Sequence, residues 1–392
     1  MGKFIYLDNA ATTQTSERVL KAMLPFYARS YGNPSSIYDF GEKNKKAVIK
    51  SREIIAQSIH ANTEEIFFTS GGSESDNWAL QIAVNKNKTE KRHMITTKIE
   101  HHAILNTCKN LEKQNVGVTY LNVDETGMIN MEQLKRSITP YTKLISIMFA
   151  NNEIGTIEPI KEIGKIARER NIIFHTDAVQ AFGHIPIDVE ELNIDMMSAS
   201  AHKLNGPKGV GFLYIRKGIE ISPMIYGGGQ EKGKRAGTEN VPGIVGLGEA
   251  TRQAIERIDQ RYKREVKMRD YLTKRILNEI PYTRLNGSTM DRLPNNVNIS
   301  FQFVEGENLL VLLDMAGICA SVASACSSGA SSPSHVLNAI GLPDDIAYGT
   351  LRLTLSEQNT IEELDYVVDT LKQIVKDLRE KNSEYQEFCG RY

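Results

Sequence analysis

Asp195-Met-Met-Ser-Ala-Ser-Ala-His202-Lys203-Leu-Asn-Gly206-Pro-Lys-Gly-Val-Gly211 is the stretch on which the reading of this chain turns. Met196 to Ala199 is short, apolar and bounded by turn residues, as a buried strand is, and Val210 to Ile215 predicts a second strand. Between them, Ser200, His202 and Lys203 fall on a connection that Gly206-Pro207 and Gly209 force to bend. A lysine held beside a buried sheet end is open to desolvation, which lowers its pKa and frees the amine for Schiff-base chemistry. A lone lysine on such a turn is ordinarily just solvated; what sets Lys203 apart is the company it keeps.

That company lies upstream. Ile66 to Thr69 predicts a strand running into Ser70-Gly71-Gly72-Ser73-Glu74-Ser75-Asp76-Asn77 and then a helix through Trp78, Leu80 and Ile82. Strand, glycine turn and helix start favour an anion, because free N–H groups and the helix dipole converge there; alone, the same pattern also reads as a capping turn. No GxxxxGK[ST] follows, which argues against a nucleotide P-loop. Met94 to Thr97 predicts a strand ending at Glu100-His101-His102, and adjacent histidines on a helix point apart and make a poor metal pair. Further strands at Val118–Val123, Leu144–Ala150 and Ile172–Thr176 follow, the last two ending in Asn151-Asn152-Glu153 and Asp177-Ala-Val-Gln180. Strands alternating with helices predict an α/β fold with a mainly parallel sheet covered by helices on both faces. Ligands bind such sheets at the carboxyl ends of strands, and Ser73, His101, Asn152, Asp177 and Lys203 all follow strand ends.

Downstream, the polar, glycine-rich Gly227–Asn240 reads as a mobile or ligand-hugging loop. Val241 to Ile280 predicts a long charged helical stretch bridging to a smaller α+β domain. That domain has strands near Asn296–Phe301 and Leu351–Leu355 and a last amphipathic helix from Ile361 to about Arg379. The expected division is a large domain over 16–255 and a small one made of 1–15 and 256–392. Ala320 to Pro333 is nearly all small residues, so the segment of about 320–335 is expected to be a flexible loop that exposes Cys326. Cys108, inside a helix, and Cys319, beside Ile318, are expected to be inert; Cys389 lies in the tail with no assignable role.

Composition narrows the classes. Of 392 residues, 41% are hydrophobic and 24% charged, as in a globular protein with ample core. A formal net charge of -1 gives no pull toward nucleic acid or an anionic membrane. The longest apolar run, near Leu309 to Ala320, is broken by Asp314 and too short to cross a bilayer. Four cysteines without CxxC or zinc spacing, and a start at Met1–Asp8 with no apolar signal region, lead to the expectation of a reducing cytoplasm and no metal site.

Taken together, the motifs resemble the NifS/IscS-type cysteine desulfurases, within the fold-type I pyridoxal 5′-phosphate (PLP) enzymes of aminotransferase class V. The resemblance runs in order through Tyr6-Leu-Asp-Asn-Ala-Ala-Thr-Thr13, Gly32-Asn-Pro-Ser-Ser36, Phe68–Asn77, Glu100-His101 and Asn151–Gly155. It continues through His175–Gln180, Ser200–Lys203, the Gly227–Asn240 loop, Ser324-Ala-Cys-Ser-Ser328 and Pro333–Leu337, the cysteine motif being that of the long-loop group. It implies that Lys203 carries PLP and later takes the substrate's Cα proton, that Asp177 pairs with the pyridine nitrogen, and that Gln180 bonds the ring oxygen. His101 would stack on the ring and relay a proton; Gly72, Ser73, Ser200 and His202 would hold the phosphate, with Thr238 reaching in from a second subunit of a homodimer. Arg352 would clamp the substrate carboxylate with help from Asn152, and Cys326 would attack the sulfur of L-cysteine, leaving a persulfide for a sulfur-acceptor protein such as an iron–sulfur scaffold or a thiolation protein. Selenocysteine lyase, another class V enzyme, and a catalytically retired sulfur-transfer scaffold are the alternatives. The chain departs from the family at Tyr38, where histidine is usual, at Ser73 for threonine, at Ala323 for glycine, and in its C-terminal residues 384–392, which leaves the acceptor open.

Overall fold

The computed structural model describes residues 4–84, 91–322 and 333–390. Its centre is a seven-stranded sheet in the spatial order Ile66–Thr69, Gly211–Ile215, Met196–Ser200, Ile173–Asp177, Thr142–Ser146, Arg92–Thr97 and Val116–Leu121. The last five run parallel; Gly211–Ile215 runs antiparallel to both of its neighbours. This is the mainly parallel, helix-covered α/β sheet that the alternation predicts, with one reversed strand that alternation alone does not reveal. The reversal follows from the short turn after Ser200: a dozen residues and a crossover helix are needed to re-enter a sheet in parallel, and only a tight connection is present.

Met196–Ser200 and Gly211–Ile215 are buried along their whole length, and Ile173–Asp177 is buried from Phe174 onward, as strands covered on both faces are. Side chains alternate between two layers. Ile145, Met197, Phe212 and Tyr214 point into one core with the helices Asp39–Ser58 and Val241–Glu256; Leu144, Met196 and Leu213 point into the other with Trp78, Leu80 and Ile104. Ser16 caps the helix Glu17–Met23 by accepting from Val19 N–H, as a serine before an apolar-periodic run should.

The long helical stretch expected over Val241 to Ile280 is two helices, Val241–Glu256 and Ile258–Glu279, meeting at Arg257 in a non-helical conformation. The cause lies in their apolar faces. Ile244, Leu247 and Ala254 serve the main sheet, whereas Met268, Leu272 and Ile276 serve a second core, and no single straight helix aims at both. That second core covers a four-stranded antiparallel sheet in the order Ser321–Val322, Thr350–Thr354, Asn296–Phe301 and Thr283–Leu285, together with the helix Ile361–Glu380. The N-terminal strand Ile5–Tyr6 pairs in parallel with Ile318–Cys319, and Asp8 bridges to Thr354, so the first residues of the chain belong to this smaller α+β lobe. No helix among the described residues is long and apolar enough to cross a membrane.

Candidate active site

Five strand ends of the main sheet open on one side, and there the chain forms a cavity of about 420 Å³. A larger cavity of about 590 Å³ lies by Gln302–Glu307 and Asn382–Glu384, but its ionisable lining is carboxylates and one tyrosine, with no base beside a nucleophile. The smaller cavity carries the chemistry.

Lys203 ends a short 3-10 turn directly after the strand Met196–Ser200. Its Nζ donates to the carbonyl oxygens of Ala11, at 2.8 Å, and Ala10. The small residues of the N-terminal arm therefore lie against the amine, and Thr13 Oγ1 fastens that arm by donating to the His202 carbonyl at 2.9 Å. Behind the turn, His184 Nε2 holds the Lys203 carbonyl at 2.9 Å. Gln180 sits on the same arm, donating to Ala10 O at 3.1 Å.

Asp177 terminates its strand with a side chain that accepts from Val179 N–H at 2.9 Å. Burial raises its pKa, and His101 and Lys203 pull it back down. Next to it, Asp76 from the helix Gly72–Val84 is 1% exposed, and its Oδ1 has no hydrogen-bond partner among the described residues. Burial first, and then the Asp177 charge, hold Asp76 well above the ordinary carboxylate range. Two such carboxyls in one dry site cannot both ionise readily, so the pair titrates as a unit, with burial and mutual repulsion holding Asp76 up and His101 and Lys203 favouring charge on Asp177.

His101 is the N-cap of the helix His102–Glu112: its Nδ1 accepts from Ala103 N–H at 3.1 Å. In the neutral ring the proton is therefore on Nε2. Burial lowers its pKa against the pull of Asp177. His102 turns away and packs its ring 4.8 Å from that of His335. The preceding Glu100 is fully buried and pushed up to about 8; its Oε1 accepts from Thr97 Oγ1 and Met148 N–H, and its Oε2 has no partner among the described residues.

The glycine turn closes one end. Gly71 has φ +150°, and a Cβ on Gly72 would stand 2.7 Å from Val179 Cγ2, so only glycines let the helix start come this close to the Asp177 turn. Ser73, Ser200 and His202 line this end, where Thr12 and Lys208 add a hydroxyl and a cation that sequence reasoning did not single out. Burial, with Lys203 and Lys208 beside it, brings His202 down to about 4, so the ring is neutral. The opposite end belongs to the second lobe. Arg352, 5% exposed, donates from Nη2 to Asp8 Oδ1 at 2.9 Å and from Nη1 to the Asn152 carbonyl at 3.1 Å, while its Nε has no partner among the described residues. Asp8 and the Glu74–Arg235 pair, 2.8 Å, which ties the Gly227–Asn240 loop to the helix start, are further site elements whose pairing the sequence motifs do not announce.

The cavity thus gathers Gly72, Ser73, His101, Asn152, Asp177, Gln180, Ser200, His202, Lys203 and Arg352. It does not gather Thr238, which is exposed on its loop and away from the cavity of its own chain. Cys326 lies outside the described residues; Ser321, which precedes it, lines the cavity. Cys108 is buried, and its thiol is pushed up to about 12. Among the described residues, no three His, Cys, Asp or Glu side chains are placed to hold a metal ion.

The aminotransferase class-V family model matches residues 5–367. The chain belongs to that family. Within it, the chain is 53% identical to a cysteine desulfurase IscS of Clostridium botulinum (strain Hall) over 390 residues, covering 99% of this chain and 98% of the relative. A cysteine desulfurase IscS of Methanosarcina thermophila is 53% identical over 377 residues, 96% and 93% of the two chains. Among solved structures, a NifS-like protein superposes with a TM-score of 0.90 at 40% identity, over 95% of this chain and all of the other. A structure described as SspA in complex with cysteine superposes with a TM-score of 0.81 at 40% identity, over 91% of this chain and all of the other.

Proposed function

We infer that the chain is a PLP-dependent cysteine desulfurase that converts L-cysteine to L-alanine and hands the sulfur on. The observation that carries this is the convergence of Lys203, Asp177 and Arg352 on one cavity whose glycine end, with its helix start, suits an anion. The donor set fits the cofactor. Gly72, Ser73, Ser200 and His202 suit a phosphate, the Asp177 carboxyl suits a ring nitrogen, and Lys203 suits an aldehyde. When bound, PLP supplies an electron sink conjugated to the substrate's Cα.

The chain's own residues do the rest. Arg352 holds the substrate carboxylate, with Nε ready and Asp8 and Asn152 fixing the guanidinium plane. Lys203 Nζ removes the Cα proton, Gln180 orients the ring oxygen, and His101 Nε2 moves a proton to or from the sulfur end. Cys326, as thiolate, would form an S–S bond to the substrate sulfur while the substrate's C–S bond breaks and its electron pair stays with the carbon fragment; that fragment takes up a proton at Cβ and regains one at Cα from Lys203, which leaves a persulfide on Cys326 and alanine in the cavity. The acceptor is a protein carrier, an iron–sulfur scaffold or a thiolation protein, in a cytoplasm that keeps thiols reduced. Thr238 completes the phosphate end of a second copy in a homodimer; the exposed apolar side chains of Leu24, Tyr27, Tyr31, Ile37 and Tyr226 support such a contact.

Cys326→Ala tests the reading. The variant should keep the cofactor's visible absorbance and its spectral response to L-cysteine, yet release almost no sulfide. Sulfide release at the wild-type rate would remove Cys326 as the nucleophile, and purified protein that takes up no PLP would remove the whole assignment.

A further inference from the structure

Glu153 and Ser334 come from motifs far apart in the chain, yet their side chains meet. Ser334 Oγ donates to Glu153 Oε2 at 2.5 Å and accepts from Val336 N–H at 3.0 Å, which caps the helix His335–Ala339. Both residues are buried, at 4% and 7% exposure. The backbone of Glu153 is held as well: its N–H donates to Asn151 Oδ1 at 2.8 Å, and its carbonyl accepts from Asn296 Nδ2 at 3.0 Å and Asn298 Nδ2 at 3.1 Å. The neighbouring Asn152 carbonyl is the one that Arg352 grips. In the other motif, His335 Nε2 donates to the Glu100 carbonyl at 2.9 Å, directly ahead of His101. Val336 and Leu337 pack with Ile99, Met148 and Ile154, which lie beyond the strand ends of the main sheet.

The two flanks of the stretch that holds Cys326 are thus tied to different lobes. Ser321–Val322, before it, pairs with the Arg352 strand of the smaller sheet. Ser334–Leu337, after it, is tied to Glu153, to Glu100 and to the open end of the main sheet. A short helix needs only the serine for its cap, and a buried carboxyl is costly, so capping does not account for Glu153. Burial pushes that carboxyl up to about 7, against the pull of Ser334 and Arg352. What it adds is a directional bond between the substrate-binding turn and the far flank of the thiol-bearing stretch.

We propose that Glu153 is a positioning residue for sulfur transfer: by holding Ser334, it sets the far flank of the Cys326 stretch relative to Arg352 and Asn152, which hold the substrate. The proposal rests on the desulfurase reading and on Cys326 as its nucleophile. Glu153 does not line the cavity in front of Lys203, and it acts only through Ser334. Attack by a thiolate on the substrate sulfur needs close alignment, and a misplacement of about 1 Å costs such a step up to about a hundredfold.

The test uses the PLP-loaded enzyme at about pH 8, above the Glu153 value. Two readouts come from each preparation. Spectral titration of the bound cofactor with L-cysteine reports substrate binding, and rapid quench with mass spectrometry follows the persulfide on Cys326 in the first turnover. Ser334→Ala and Glu153→Leu break the bond from opposite ends, and only the first also removes the helix cap. Each should slow persulfide formation by about tenfold or more, while the titration midpoint moves by less than about threefold. The double variant should be no slower than the slower single one, because one bond is lost only once. Ser334→Thr keeps the donor and Glu153→Gln keeps an acceptor oxygen, so each should recover most of the rate. Persulfide formation at the wild-type rate in either Ser334→Ala or Glu153→Leu, or losses that multiply in the double variant, would overturn the proposal. So would a midpoint that weakens as much as the rate falls, since that would mark Glu153 as a support of the fold alone. A wild type that forms no persulfide would remove the functional reading itself, and this proposal with it.

Discussion

Replacing Glu100 by glutamine should make the protein more stable in alkali and leave it no more stable in acid. Glu100 is fully buried; its Oε1 accepts two hydrogen bonds that a glutamine oxygen can keep, and burial, with Asp177 and Glu158 adding to it, pushes the carboxyl up from 4.5 to about 8. The folded value lies above the unfolded one. The contribution to stability is therefore complete below about pH 4.5, is lost progressively as pH rises to about 8, and is flat beyond. At about 1.36 kcal/mol for each pH unit, the wild type forfeits on the order of 5 kcal/mol across that window, and a glutamine forfeits nothing. Urea unfolding midpoints of the holoenzyme pair, measured at pH 5, 7 and 9, read the effect directly. The difference should grow in favour of Glu100→Gln with each step. A difference that stays constant with pH, or that grows toward acid, would refute the assignment of Glu100 as a buried, protonated acid.

Arg352→Lys should raise KM for L-cysteine by about tenfold or more, because lysine cannot keep the Asp8 and Asn152 contacts and still offer an edge to a carboxylate; steady-state kinetics with an unchanged KM would contradict this. Glu231→Ala should cost about 3–5 kcal/mol, since it strips Arg52 of a half-buried two-point ion pair and Phe68 N–H of its acceptor. A fall in denaturant midpoint too small for that loss would mean that water compensates Arg52.

Much of the fold is readable along the chain because its signal is local. Buried parallel strands declare themselves as apolar runs such as Met196–Ala199, and a polar residue directly after each run marks the open side of the sheet. What escapes is whatever depends on distant partners. Arg352 stands out as a carboxylate binder, but that Asp8 holds its guanidinium requires the smaller lobe to fold back on the N-terminal arm. Asp76 looks like an ordinary helix residue until the sheet sets it beside Asp177. The break at Arg257 is equally silent, since no glycine or proline marks it; two cores pulling two helix faces apart produce it.

Residues 5–13 touch almost everything that matters while contributing little bulk. They pair with Ile318–Cys319, meet Arg352, cradle the Lys203 amine and fasten His202. During synthesis this ribbon must wait about 190 residues for His202 and Lys203 and more than 300 for Ile318, Cys319 and Arg352, a very high separation for contacts so close to the chemistry. The catalytic pocket is thus among the last parts of the molecule to assemble, and a single protease cut near Ala10 would sever the thread that sews both lobes to the lysine.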